Sequence, residues 1–141
     1  MSQENVEIVC EALARFSERD FERTLELIGE DALWEPSGQF VGSDGGYPGH
    51  RGIRRFWDAF TEPWAEIELK PIEAVAVDTE RVLTHTHFHG VGRASGIPTD
   101  MSVVQLWTVT GGKIRRFQSF ATRREALEAV GLSAQDAHAD S

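Results

Sequence analysis

The sequence predicts an α+β fold: a curved antiparallel sheet wrapped as a cone around about three N-terminal helices, with a short C-terminal helix. Three observations predict it. Apolar residues recur at three- and four-residue spacing up to about residue 60, and mainly at two-residue spacing from Ala65. The second half carries turn residues between its alternating runs, including the two-glycine hairpin Gly111-Gly112. Helices first and hairpins afterwards put the helices against one sheet face. A sheet of this size twists and curls, and its concave face with the helices leaves a cone with an open mouth.

Ser2 caps the first helix, and Val6, Val9, Cys10, Leu13 and Phe16 form its apolar stripe opposite Glu4, Glu7, Glu11 and Arg15. Asp20 caps a second, short helix with Phe21, Leu25 and Ile28 on its buried side and Gly29 as its stop. Ala32 to Glu35 is extended and Pro36 ends it. Ser37 to Gly52 contains six glycines and reads as a long binding or lid loop. It lacks the Gly-Lys-Ser/Thr ending of a phosphate-binding loop. The third helix spans about Ile53 to Phe60, with Ile53, Phe56, Trp57 and Phe60 as an aromatic stripe.

From Ala65 the chain alternates. Ile67, Leu69, Val75 and Val77 share one side, and Pro71 marks a bulge or an edge. Asp78-Thr79-Glu80 turns the chain; Arg81–Gly90 and Thr99–Thr110 are the next strands, and Lys113–Ala121 returns antiparallel. Thr122 and Glu125 form a capping box for the last helix, whose buried side is Ala126, Leu127 and Val130. Residues 1–132 read as a single domain and 133–141 as a disordered tail.

The chain has 141 residues, 40% hydrophobic and 26% charged, with a net charge of −9. That balance disfavours nucleic acid and a phosphate-rich membrane surface. No apolar run reaches the ~20 residues of a spanning helix, and the first residues lack the basic start and apolar run of a signal peptide. The single Cys10 lies on a helical apolar stripe; a reducing cytoplasm is the expected location, with the thiol buried and inert.

Several segments in order carry a family likeness: Arg19-Asp20-Phe21, Asp31-Ala32-Leu33-Trp34-Glu35-Pro36-Ser37-Gly38, Gly49-His50-Arg51-Gly52-Ile53-Arg54-Arg55-Phe56, Gly111-Gly112-Lys113-Ile114 with Phe120 ending the strand, and Glu125-Ala126-Leu127. From about Val6 to Leu132 the chain resembles the nuclear transport factor two-like superfamily, and within it the SnoaL-like polyketide cyclase and ketosteroid isomerase group. The resemblance implies a homodimer built through the sheet. It implies no single function, because this fold hosts enzymes and plain binders alike.

The same resemblance sets Glu35 where isomerase-like members carry a general base. An apolar surrounding would raise its pKa toward the range for proton abstraction. On a regular strand Trp34 and Glu35 point to opposite faces, so only one of them faces the cavity. Met101, Val103, Gln105, Trp107 and Val109 share the strand face better suited to lining it. Gln105 then falls near an oxyanion-donor position of the isomerases, where an amide N–H stabilises developing negative charge. The first-helix tyrosine of the isomerases is missing; Ala12 or Leu13 stands in that region.

His85, His87 and His89 share one face of their strand, as do Val82, Thr84, Thr86 and Phe88 on the other. The pattern leaves open which face turns inward. His87 is the first candidate for an acid, a base or a polarising group. A metal is not expected: histidines four apart in a strand are separated by ~13 Å, so at most two of the three reach one ion. The remaining ligand candidates are Trp34, His50, Phe56, Trp57, Phe60, His85, His89, Met101, Val103, Trp107, Gln118 and Phe120.

The expected function is binding of a small apolar molecule in the cone, with two outcomes open. One is cofactor-independent acid–base chemistry, as an isomerase, lyase or cyclase, by Glu35, His87 and Gln105. The other is a non-catalytic carrier or sensor using the same cavity. An assembly module, the third class, predicts a cone filled by its own side chains.

Overall fold

The computed structural model describes residues 2–36 and 46–131. The chain runs α1 (Ser2–Ser17), α2 (Phe21–Glu26), β1 (Ile28–Glu35), β2 (Tyr47–Pro48), α3 (Gly49–Thr61), β3 (Trp64–Ala76), β4 (Arg81–Gly92), β5 (Pro98–Thr110), β6 (Lys113–Phe120) and α4 (Arg123–Ala129). The strands form one sheet in the order β2-β1-β6-β5-β4-β3. All neighbouring pairs are antiparallel except β1 and β6, which are parallel. The first three helices cover one face of the sheet and α4 packs on the other.

α1 buries Val9, Ala12, Leu13 and Phe16, the stripe that helical spacing sets out. It stops at Arg19, whose φ of 61° is left-handed. That conformation favours glycine at a helix end. Here the Arg19 side chain donates to the Trp64 carbonyl at 2.5 Å and ties the corner to the start of β3. Asp20 caps α2 by accepting from the Arg23 amide at 3.1 Å. α2 is shorter than the sequence pattern predicts, because Ile28 and Gly29 belong to β1 rather than to the helix. Ile28 is drawn into the sheet opposite Ile114, where it is 2% exposed.

α3 begins at Gly49, four residues before the predicted start, and buries Ile53, Phe56 and Trp57. β2 was not legible as a strand; it is only two residues long and pairs with β1 at Leu33 and Trp34. Both sequence expectations for Pro71 hold together: β3 is an edge strand, and its register with β4 shifts between Pro71 and Glu73. Pro has no N–H for a ladder, so a bulged edge is where it fits. Gly111 and Gly112, at φ 61° and 77°, close the β5–β6 hairpin as a two-residue turn demands. Thr122 accepts from the Glu125 amide at 3.2 Å and starts α4. The tail from residue 132 and most of the glycine-rich loop lie outside the described residues.

Candidate functional site

Two clusters divide the buried apolar residues. The larger lies between the helices and the concave sheet face. The smaller, Leu83, Val104, Leu106, Ala126 and Leu127, lies beneath α4 on the convex face. The larger cluster does not close completely. It leaves a cavity, partly open to solvent, with ≈ 70 Å³ free to the centre of a water-sized sphere. That is room for about five water positions.

The wall is aromatic. Trp34 stacks on Phe117 at 4.3 Å and 11°, and meets Trp57 and Trp107 edge-on at 5.6 and 5.8 Å. Phe16, Phe56 and Phe60 close the helical side, and Phe88, Met101 and Val103 the sheet side. Offset-stacked and edge-to-face pairs suit the ring quadrupoles and hold the wall in one arrangement.

Strand parity assigns the inward residue of the Trp34-Glu35 pair. Trp34 lies opposite Phe117 and Glu35 opposite Gln118 across the β1–β6 ladder, so each pair shares a face. Trp34 lines the cavity at 5% exposure. The energy difference explains the choice. Burying an indole stabilises by roughly 4–6 kcal/mol from its 150–250 Å², whereas burying an unpaired carboxylate costs several kcal/mol. Glu35 therefore turns to the convex face, where Arg116 Nε donates to its Oε1 at 2.5 Å. The sequence-based expectation of Glu35 at the cavity wall is corrected accordingly.

The histidine strand faces the same way as Glu35. Its register with β5 sets Thr84 opposite Gln105 and Thr86 opposite Val103, so Thr84, Thr86 and Phe88 point inward with them. His87 Nε2 and His89 Nδ1 both meet Asp100 Oδ1, at 2.9 and 2.8 Å, on the convex face. A carboxylate oxygen only accepts, so both ring nitrogens carry protons there. The bond that His89 donates to Asp100 raises the pKa of His89; the bonds from His89 and His87 lower that of Asp100. Both nitrogens are spent on one oxygen, and among the described residues no group of three or more His, Cys, Asp or Glu is arranged to hold a metal ion. His85 lies on this face opposite Val104 and Glu73.

Gln118 and Phe120, both set among the ligand candidates, also face outward: Gln118 lies opposite Leu106, and Phe120 packs into the cluster under α4. His50 is absent from the cavity wall. Its Nε2 donates to the Ile28 carbonyl at 2.8 Å and fixes the start of α3 to β1.

Gln105 is, with Thr24, one of two polar residues in the described lining. It is 5% exposed, lines the cavity, and accepts from Thr84 and Thr86 at 2.9 and 2.7 Å. Among the described residues no ionisable side chain lines the cavity. The sequence reading missed Thr24, Phe16, Leu69, Phe88 and Phe117 as lining. For Phe88 the missing signal was the β4–β5 register, which settles parity once Gln105 is known to face inward.

Among the described residues no helix is long and apolar enough to cross a membrane. No curated protein sequence is significantly similar to the chain. Solved structures resemble it throughout. TerC co-crystallised with polyporic acid is 24% identical, over 91% of this chain and 98% of that one, with a TM-score of 0.73. A nuclear transport factor two-like protein of Burkholderia xenovorans is 26% identical, over 85% and 90%, with a TM-score of 0.68. A hypothetical protein of ketosteroid isomerase-like fold from Catenulispora acidiphila, in complex with trimethylamine, is 16% identical, over 92% and 95%, with a TM-score of 0.71. The model of the SnoaL-like domain matches residues 9–117. With that match over most of its length, and an α+β cone of the nuclear transport factor two-like kind, the chain belongs to the SnoaL-like domain family.

Proposed function

We propose that the protein binds a small apolar molecule in the cone and acts as a carrier or sensor of it. One observation carries this reading: a cavity walled by Trp34, Trp57, Trp107, Phe88 and Phe117 whose described lining holds no ionisable group. Such a wall gains from excluding water around an apolar ligand but has no proton to give or take. TerC was crystallised with polyporic acid and the Catenulispora protein with trimethylamine; small-molecule occupancy of similar cones supports the reading. The fold likeness also supports a second copy of this chain docking through the sheet.

The catalytic alternative is a cofactor-independent isomerase, lyase or cyclase. Its support is Gln105, a donor set in an apolar wall where developing negative charge would be stabilised. Against it stand Glu35 and His87, committed to Arg116 and Asp100 on the convex face.

Three tryptophans line the cavity, so binding is measurable by intrinsic fluorescence. Titration with indane, an apolar two-ring probe, is expected to give a saturable change at one probe per chain. No saturable change with indane, indanone or indole would overturn the proposal.

A further inference from the structure

The polar network around Gln105 in the cavity wall is built with a definite polarity. Trp107 Nε1 donates to Thr84 Oγ1 at 2.9 Å. An indole nitrogen only donates, so the Thr84 hydroxyl must accept there, and its one proton goes to Gln105 Oε1 at 2.9 Å. Thr86 donates its proton to the same oxygen at 2.7 Å. Thr84 and Thr86 are both 0% exposed, so a hydroxyl proton with no acceptor would be costly there. Reversing the carboxamide would leave both threonine hydroxyls facing N–H groups and strand their protons. The network is satisfied only with the oxygen turned toward the threonines.

The amide nitrogen is then the end left for the cavity. No hydrogen bond joins Gln105 Nε2 to a described residue. Gln105 itself is 95% buried by its 5% exposure and lies in the cavity wall. Its other polar neighbour in the wall, Thr24, spends its hydroxyl on the Asp20 carbonyl at 2.8 Å. Among the described side chains of the wall, the Gln105 amide thus offers the N–H donor, while Thr24, its proton already given to Asp20, offers only oxygen lone pairs.

We infer that Thr84, Thr86 and Trp107 are positioning residues that lock Gln105 as a one-way donor, so that the Gln105 end of the cavity selects an apolar ligand carrying a hydrogen-bond acceptor there, such as a carbonyl oxygen, over one that presents only a donor to the same place. The inference rests on the proposed binding function and deepens it. Thr84 and Thr86 lie behind the wall and act through Gln105; Trp107 lines the wall with its ring, and its indole N–H acts on Gln105 through Thr84. Among the described lining residues a ligand carboxylate gains no cation and an ammonium group meets no anion.

The test compares three probes of near-equal shape: indanone, which presents an acceptor; indane, which presents neither; and indole, which presents a donor. In the unmodified protein indanone is expected to bind about tenfold more tightly than indane, the worth of one net hydrogen bond, with indole the weakest. In T84V/T86V the shape is kept but the lock is gone. The carboxamide is then free to reverse, and the preference of indanone over indole is expected to collapse toward unity while indane binding stays within about twofold. A merely structural role would weaken all three probes together. Equal affinity of the unmodified protein for indanone and indole, or a preference for indole, would overturn the inference with the binding function intact. Failure of all three to bind would overturn the binding function itself. The comparison in the unmodified protein needs no variant to fold, so the inference stays testable if T84V/T86V does not.

Discussion

The two faces of the central sheet carry opposite chemistry on the same strands. On β1, Trp34 faces in and Glu35 out; on β4, Thr84, Thr86 and Phe88 face in and His85, His87 and His89 out; on β5, Met101, Val103 and Gln105 face in and Asp100 and Ser102 out. The concave face is aromatic, with one amide. The convex face is ionic, except beneath α4, where Leu83, Val104 and Leu106 meet Ala126 and Leu127. Residue type alone draws attention to the convex face, because carboxylates and imidazoles are the usual chemical agents. Burial draws it to the concave face. Where alternation is strict, desolvation decides: the residues with the most reactive groups are those the fold can least cheaply bury.

Substitutions on the two faces sharpen this contrast. The largest effect is expected at Trp57, which is 2% exposed and touches Phe16, Phe21 and Trp34. Trp57→Ala should cost about 3–5 kcal/mol in a urea unfolding curve. Leu127→Ala, on the convex side, should cost roughly 2–5 kcal/mol yet leave probe affinity in the cavity unchanged. If affinity falls with it, the two cores are coupled and the contrast is weaker than drawn. Glu35→Gln removes the pair with Arg116, whose side chains are 31% and 48% exposed. Screening by solvent limits that loss to at most about 1 kcal/mol. A larger loss would mean the pair is shielded, as a group serving the cavity would be.

The smallest effect concerns Asp100→Asn and pH. His89 is raised above its ordinary 6.5, chiefly by the bond to Asp100, so its contribution is present below that value and fades as pH rises through the folded one. Asp100 is lowered from 3.8, chiefly by the bond from His89, so its contribution is present above that value and fades as pH falls. The difference between the original and Asp100→Asn should therefore be greatest between about pH 4 and 6.5 and shrink on either side. Urea midpoints at about pH 3, 5.5 and 8 check the shape; a difference that grows steadily toward alkaline pH would contradict it.

Most of the fold is legible in the sequence because period and turn chemistry agree locally. The α1 stripe, the Asp20 and Thr122 caps, the Gly111-Gly112 hairpin and the Pro71 irregularity all depend on near neighbours. The lining of β5 was legible for the same reason: one face of Met101–Trp107 is plainly more apolar. β4 was not, because Val82, Thr84, Thr86 and Phe88 are no more polar than their alternates, and only pairing with β5 settles their direction. Gln118 and Phe120 face outward for a related reason: their parity is set by Leu106 and Val104 across the ladder. At Ile28 tertiary packing overrode a local pattern, whereas at Glu35 strand alternation held and only the choice of inward residue needed the fold.

The most direct test of the whole account places one obstruction on each face. Val103→Trp fills the cavity wall, whereas the double variant Glu35→Gln/His87→Gln removes the two most reactive candidates from the convex face. Calorimetric titration with indanone is the measurement. Binding should be lost in Val103→Trp and kept within about twofold in the double variant, since no ligand contact is removed. Full binding in Val103→Trp, or its loss in the double variant while that protein remains folded by circular dichroism, would contradict a ligand site on the concave face.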